Sequence, residues 1–161
     1  MKTAAAFAIL LAAPAVAQPG APDPPKHGMY ALYPVYLSKD DTAFVDKMSL
    51  VRTGNMVEGW NFNIYAKPTA VTPSQPTEYH WTRFSMNCAT LAVTVSWIIG
   101  TDLIVTTFKS RLDRTFPVRK DSGWDQIFAE GCGRVPYLTG KAWINTTVAA
   151  AQAKGEMARK Q

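Results

Sequence analysis

From Tyr30 to Lys109 apolar side chains return at nearly every second position, and that period constrains the chain more than any other feature of it. Backbone patterned this way turns alternate side chains to opposite sides of a strand, which suits a sheet with one face in a core and one in water. Trp60, Phe62 and Ile64 alternate with Asn61, Asn63 and Tyr65. The pattern returns at Phe84, Met86 and Cys88, and again at Leu91, Val93, Val95, Trp97 and Ile99. Thr53-Gly54-Asn55, the stretch from Pro68 to Pro76, and Gly100-Thr101-Asp102 separate these runs with residues that tolerate the backbone angles of a reversal. Successive antiparallel strands follow. With 161 residues, 47% of them hydrophobic, there is material for one core and not for two.

A rival reading makes Ala89 to Phe108 a membrane span. Asp102 inside that window would cost about 2.5–3.5 kcal/mol near a bilayer centre, Gly100 breaks it, and its Thr, Val and Ile fit a pleated surface better than a helix. A hairpin with arms Thr90 to Ile99 and Leu103 to Lys109 accounts for it better. Beyond Lys109 the period changes. Ser122 followed by Asp125 three residues later is a helix-start signal, Trp124, Ile127 and Phe128 share a helical face, and Gly131 ends the run. The spacing predicts a helix from Gly123 to Glu130. The fold class is therefore α+β: a twisted antiparallel sheet of about six strands, a short helix packed on it, and an extra C-terminal helical tail.

Residues 1–17 read as a secretory signal peptide, with Lys2, an apolar run through Leu11, Pro14 and the small-x-small Ala15-Val16-Ala17. The run is too short to span a bilayer, which takes about 20 residues, and no Cys follows the cleavage site to carry a lipid. No transmembrane span is expected once the leader is removed, and the product is expected in the periplasm or outside a bacterial cell. Residues 18–29 form a Pro-rich spacer, 30–133 the domain, and 134–161 the tail. Arg134 to Thr139 reads as a loop. Thr139 to Lys160 is Ala-rich with a thin stripe of Ile144, Val148 and Ala151, and three readings stay open for it: a helix lying on the domain, a self-association helix, or a frayed end. Asn145-Thr146-Thr147 matches a glycosylation acceptor, but a helical setting argues against that use.

An exported chain with two cysteines is most simply read as carrying one disulfide, Cys88 to Cys132, since the close C-x-x-C spacing of a redox pair is missing. Closing a loop of about 45 residues is worth about 4 kcal/mol in the chain-entropy picture.

The segment DTAFVDKMSLVRTGNMVEGWNFNIYAKP (Asp41 to Pro68), the strand ending FSMNC, the hairpin after it and the DSGWDQIFAEGC helix together resemble the surface-adhesin protein E family. The features that carry the resemblance are Asp46, Ser49, Leu50, Arg52, Gly54, Trp60, Cys88 and Cys132, and it extends over about Tyr30 to Cys132. It implies a twisted antiparallel sheet with a helix packed on it, and self-association. It also points to a family that includes a lipid-anchored bacterial surface protein binding extracellular-matrix proteins and plasminogen. This chain lacks the lipidation Cys and adds a tail, so matrix binding does not carry over with the fold.

A net charge of +5, scattered along the chain, is too diffuse for a nucleic-acid footprint. Two His, two Cys and no clustered carboxylates leave little for a metal centre, a cofactor or acid–base chemistry, so no catalytic or metal residues are assigned. His80 shares a strand face with Phe84 and Met86 and reads as a hydrogen-bonded or surface residue; His27 lies by the spacer; Asp40 and Asp41 sit in a turn; Ser49, Ser85 and Ser96 have no histidine suggested beside them. One charge run stands out. Lys109, Arg111, Arg114, Arg119 and Lys120 surround Asp113 alone, either as a solvated loop before the helix or as a contact for an anionic envelope or matrix macromolecule or an acidic protein patch. Tyr65, Tyr79, Trp81 and Trp97 are offered as outer-face interface anchors unless the C-terminal helix covers them. The sequence thus reads as a non-catalytic exported binding domain, any homodimer forming through sheet or tail. The alternative is a periplasmic accessory subunit or inhibitor docking through its C-terminal helix.

Overall fold

A computed structural model describes residues 20–25, 30–73, 75–133 and 142–161. The expected leader, His27, half of the expected spacer, the 134–139 segment and the start of the tail at Thr139 lie outside the described residues. Seven strands form one antiparallel sheet: β1 (Leu32–Leu37), β2 (Asp41–Asp46), β3 (Val51–Thr53), β4 (Met56–Thr72), β5 (Gln75–Asn87), β6 (Ala92–Thr101) and β7 (Thr106–Pro117). Their order is β1-β2-β4-β5-β6-β7, with the short β3 paired to β4 as a strand beyond the expected six. Two helices follow, α1 (Gly123–Gly131) and α2 (Thr146–Arg159).

The expectation of one wet face is corrected. Each helix takes a face of the sheet, because both sides of β4 and β5 need cover. On one side Leu32, Phe44, Trp60, Phe62, Ile64, Trp81 and Ile99 pack beneath Ala149, Ala150, Ala153 and Met157 of α2. On the other, Val35, Val45, Val57, Phe84, Met86 and Val93 pack beneath Ile127 and Phe128 of α1. Of the three readings for the tail, the helix lying on the domain is the one observed. Small alanines let its backbone come close to the aromatic layer, Asn145 caps it by accepting from the Thr147 and Val148 N–H groups, and Lys154 pairs with Glu78 of β5. Asn145 thus has a capping role that its acceptor pattern did not suggest.

The hairpin replaces the membrane reading. Its turn is Asp102 to Val105, where the Asp102 carboxylate accepts from the Ile104 and Val105 N–H groups at 2.9 Å each. Gly100 and Thr101 belong to β6 and not to the turn. Pro68 to Pro76, expected as a reversal, is mostly strand: β4 and β5 continue as a long ribbon whose register slips between Ile64 and Thr69 and again between Ala70 and Thr72. Proline is tolerated there because such irregularities leave its missing N–H without a ladder partner. The basic stretch after Lys109, expected as a loop, continues β7 to Pro117. Its pattern was hard to read because β7 is an edge strand exposed along most of its length, so neither face is written in apolar residues.

The run Leu91 to Ile99 does not keep one face either. Phe84 pairs with Val95 but Arg83 with Trp97, so the extra residue Ser96 makes a bulge. Val95 and Ile98 therefore pack with Phe108 near Trp124, whereas Ile99 belongs to the layer under α2. Gly100 is required at its place, since a Cβ there would run into the Phe108 ring.

The residues that carry the family resemblance build one corner. Asp46 ends β2 and caps a 3-10 turn over Lys47–Ser49. The Ser49 hydroxyl donates to the Asp46 carbonyl at 2.7 Å and accepts from the Trp60 N–H at 2.8 Å. Arg52 donates to the Cys132 carbonyl at 2.9 Å, and Cys132 is bridged to Cys88 in the turn after β5, with their Cα atoms 5.7 Å apart. Lys47 pairs with Glu130 of α1 beside them. Gly131 completes the corner by close approach, as an added Cβ would lie 2.8 Å from Val57.

Replacing both Cys88 and Cys132 by Ala should lower the unfolding free energy by about 4 kcal/mol, read from urea midpoints with and without the substitutions. Removing residues 142–161 should uncover Phe62 and Trp81 and produce strong binding of a hydrophobic dye or aggregation. A truncated chain that neither aggregates nor binds the dye would mean that α2 is not the lid of that face.

Candidate functional site

The bulges divide the basic run between the two faces. Residues paired directly across strands share a face. Lys109 lies opposite Ile99 and Arg111 opposite Trp97, on the side of α2; Arg114 lies opposite Val95, on the side of α1. The switch occurs at Asp113, whose φ of 46° is left-handed. Lys109 is 2.7 Å from Asp23, and Arg111 pairs with its neighbour Asp113. Arg114, Arg119 and Lys120 have no carboxylate partner among the described residues. The structure thus gathers Arg114 and Arg119 and sets Arg111 and Lys109 apart from them.

Arg114 and Arg119 line a groove of about 440 Å³ together with Leu112, Phe116, Pro117, Ser122 and Trp124. Its floor is aromatic. Trp124 meets both Phe116 and Phe84 edge-on, with ring centroids 6.0 and 5.3 Å away. Ser122 is held as the cap of α1, accepting from the Asp125 N–H at 3.2 Å and donating to the Arg119 carbonyl at 2.6 Å, so the segment that carries Arg119 is fixed to the helix start. Guanidinium groups beside an aromatic floor suit a planar anion on an amphipathic carrier.

The other singled-out residues fall elsewhere. Trp81 is buried beneath α2 and Tyr79 packs against the same layer, so their cover is the helix and not a partner. Trp97 is buried beside Arg83, and Arg83 sits over the Trp60 ring and pairs with Glu58 at 2.6 Å. Tyr65 lies on the opposite side, stacked on His80 at 5.6 Å. Ser49 and Ser96 direct their hydroxyls to backbone carbonyls; Ser85 is half-buried in β5. Among the described residues no group of three or more His, Cys, Asp or Glu side chains could hold a metal. The Asp41 carboxylate accepts from the Ser38 hydroxyl and the Asp41 N–H donates to the Ser38 oxygen at 3.0 Å, closing the β1–β2 turn.

No family model and no curated protein matches the chain. Among solved structures the chain is similar to protein E from non-typeable Haemophilus influenzae. The identity is 14%, the match covers 84% of this chain and 96% of that one, and the TM-score is 0.45. A likeness of that size leaves function to be argued from the site itself.

His80 is the residue whose setting the sequence left most open. It is buried in the middle of β5, and burial pushes its pKa down to about 4, so the ring is neutral at pH 7. In the unfolded chain it titrates near its ordinary value. The native state therefore binds fewer protons between pH 6.5 and 4, and stability falls as pH drops through that window, by roughly 3 kcal/mol when complete. His80→Gln should flatten this part of a urea-midpoint curve measured from pH 7 to 4. An unchanged slope in the variant would place the acid sensitivity elsewhere.

Proposed function

We propose that the protein is an exported, non-catalytic binding domain that contacts an anionic macromolecule through the Arg114–Arg119 groove. The observation that carries this reading is the pair Arg114 and Arg119, without a carboxylate partner among the described residues, lining one groove with Phe116 and Trp124 beside the capped start of α1. Unneutralised cations on a groove wall raise the local concentration of anionic partners and steer their approach. The sequence resemblance to surface-adhesin protein E points to the same class of role, contact with host or envelope macromolecules. Export is supported by the leader-like 1–17 segment and by the Cys88–Cys132 bridge, which belongs to an oxidising compartment. No helix among the described residues is long and apolar enough to cross a membrane.

The accessory-subunit reading draws less support. The apolar stripe of α2, Ala149, Ala150, Ala153 and Met157, is already packed on the domain's own sheet, which leaves a docking partner only its outer side and exposed Ile144 and Val148.

The pairing pattern makes the test selective within the basic run. On a phosphate- or sulfate-bearing matrix, Arg114→Gln with Arg119→Gln should weaken retention about tenfold, from two rim charges worth about 0.5–1 kcal/mol each. Arg111→Gln, which removes a cation already paired with Asp113, should change retention little. Equal retention of the double variant and the unaltered chain would remove the groove from consideration.

A further inference from the structure

The centre of the sheet carries a feature that the anion-binding groove does not use. Register places Asn61 of β4 opposite Thr82 of β5, and Asn63 opposite His80. The four side chains form a two-by-two polar square on the face that α1 covers, bordered by Ala43 and Val45 across β2 and by Ile98 and Gly100 across β6. Asn61, His80 and Thr82 are each at least 95% buried, with exposures of 4%, 5% and 5%. Central strands covered on both faces ordinarily carry apolar residues, and a buried polar group that lacks a partner costs about 1–3 kcal/mol. Three such buried side chains with the half-buried Asn63 beside them, at the middle of a small domain, call for an account.

Part of the square satisfies itself. The Asn61 amide donates to Asn63 at 3.4 Å, and the Asn63 amide donates to the Thr82 hydroxyl at 3.2 Å. Asn61 Oδ1 and His80 Nδ1 are left buried without a hydrogen-bond partner among the described residues. Both residues line a cavity of about 320 Å³ between the sheet and α1, walled by Val35, Val95, Ile98, Ile127 and Trp124. The cavity exists because α1 is short. Its nine residues span about 13 Å, whereas β5 alone runs roughly 43 Å over thirteen residues. The corner at Cys132 and Arg52 holds the helix toward Val57 and Met86, away from His80.

We infer that this cavity is a binding site for a small uncharged molecule, about one ring in size, that carries a hydroxyl group. Its volume lies at the lower end of the range for small-molecule sites, and its make-up, apolar walls around a few convergent polar groups, is the usual one. A hydroxyl suits the open positions best. It both donates and accepts, so it satisfies the Asn61 amide in either orientation and the His80 ring in either tautomer. A charged ligand does not suit them: the described lining includes no Lys or Arg, and Asp41 is the carboxylate on it. Trp124 and Leu112 line both this cavity and the Arg114–Arg119 groove, so the indole reports occupancy from either side while the Asn61 and Asn63 amides report from one.

The test uses the full chain, labelled with nitrogen-15, titrated separately with phenol, toluene and benzoate. The signals followed are the Asn61 and Asn63 side-chain amides and the Trp124 indole N–H. Phenol is expected to shift the two amides saturably, toluene to bind at least tenfold more weakly because it cannot reach the polar square, and benzoate to leave the amides unmoved. Asn61→Leu should erase the preference for phenol over toluene. Equal binding of phenol and toluene to the unaltered chain would reduce the site to an apolar hollow and overturn the inference. So would benzoate binding as tightly as phenol, or no saturable amide shift with any of the three. The comparison on the unaltered chain decides the matter even if Asn61→Leu does not fold.

Discussion

The attachment of the C-terminal end of α1 to the sheet corner is the constraint on which the rest depends. Three contacts of different kinds converge there: the Cys88–Cys132 bridge, the Arg52 hydrogen bond to the Cys132 carbonyl, and the Lys47–Glu130 ion pair. The covalent bond limits the freedom of the unfolded chain, whereas the Arg52 fork orients the helix end, and the ion pair joins an exposed Lys47 to a largely buried Glu130 side chain. A nine-residue helix fixed at one end covers only part of the face beneath it. Its free end places Trp124 between the two concavities of that face, the cationic groove on one side and the polar-floored cavity on the other.

The opposite face shows a different solution to the same problem. α2 is longer and lies on the aromatic layer through alanines, so it fits closely and leaves Trp81 and Phe62 buried. With both faces covered, the alternation along β4 changes meaning. Trp60, Phe62 and Ile64 are core, and of the residues that alternate with them Asn61 is buried in a second interior layer while Asn63 is half-buried at its border. The edges are handled separately. β7 carries Lys109, Arg111 and Arg114 and a bulge at Asp113, features that discourage pairing with another strand and at the same time supply cations to the surface.

The resemblance residues fit this picture as structural parts. Asp46, Ser49 and Arg52 cap, bridge and anchor, and their bonds go to backbone groups of neighbouring elements. Such a corner depends on polar side chains at fixed spacing and not on what the domain binds. Fold likeness and binding function are therefore separable here.

Local patterns in the sequence determined the antiparallel strands, the Ser122-capped helix and the pairing of the two cysteines, since period, cap and cysteine count are properties of neighbouring residues or of simple arithmetic. The tertiary structure decided what local patterns cannot hold. Strand alternation separates two faces but does not say whether a distant helix will cover the second, so Asn61 and Asn63 read as the watered face, and His80 as either hydrogen-bonded or surface, until α1 lay over them. A bulge of one residue reverses the faces after it, and those at Ser96 and Asp113 sent Arg111 and Arg114 to opposite sides of a run that looked like one patch. The start of β7 was legible in the arm Leu103 to Lys109, but its continuation to Pro117 was not, because an exposed edge leaves no apolar rhythm in the sequence; only the hydrogen bonds of its neighbour β6 define that part.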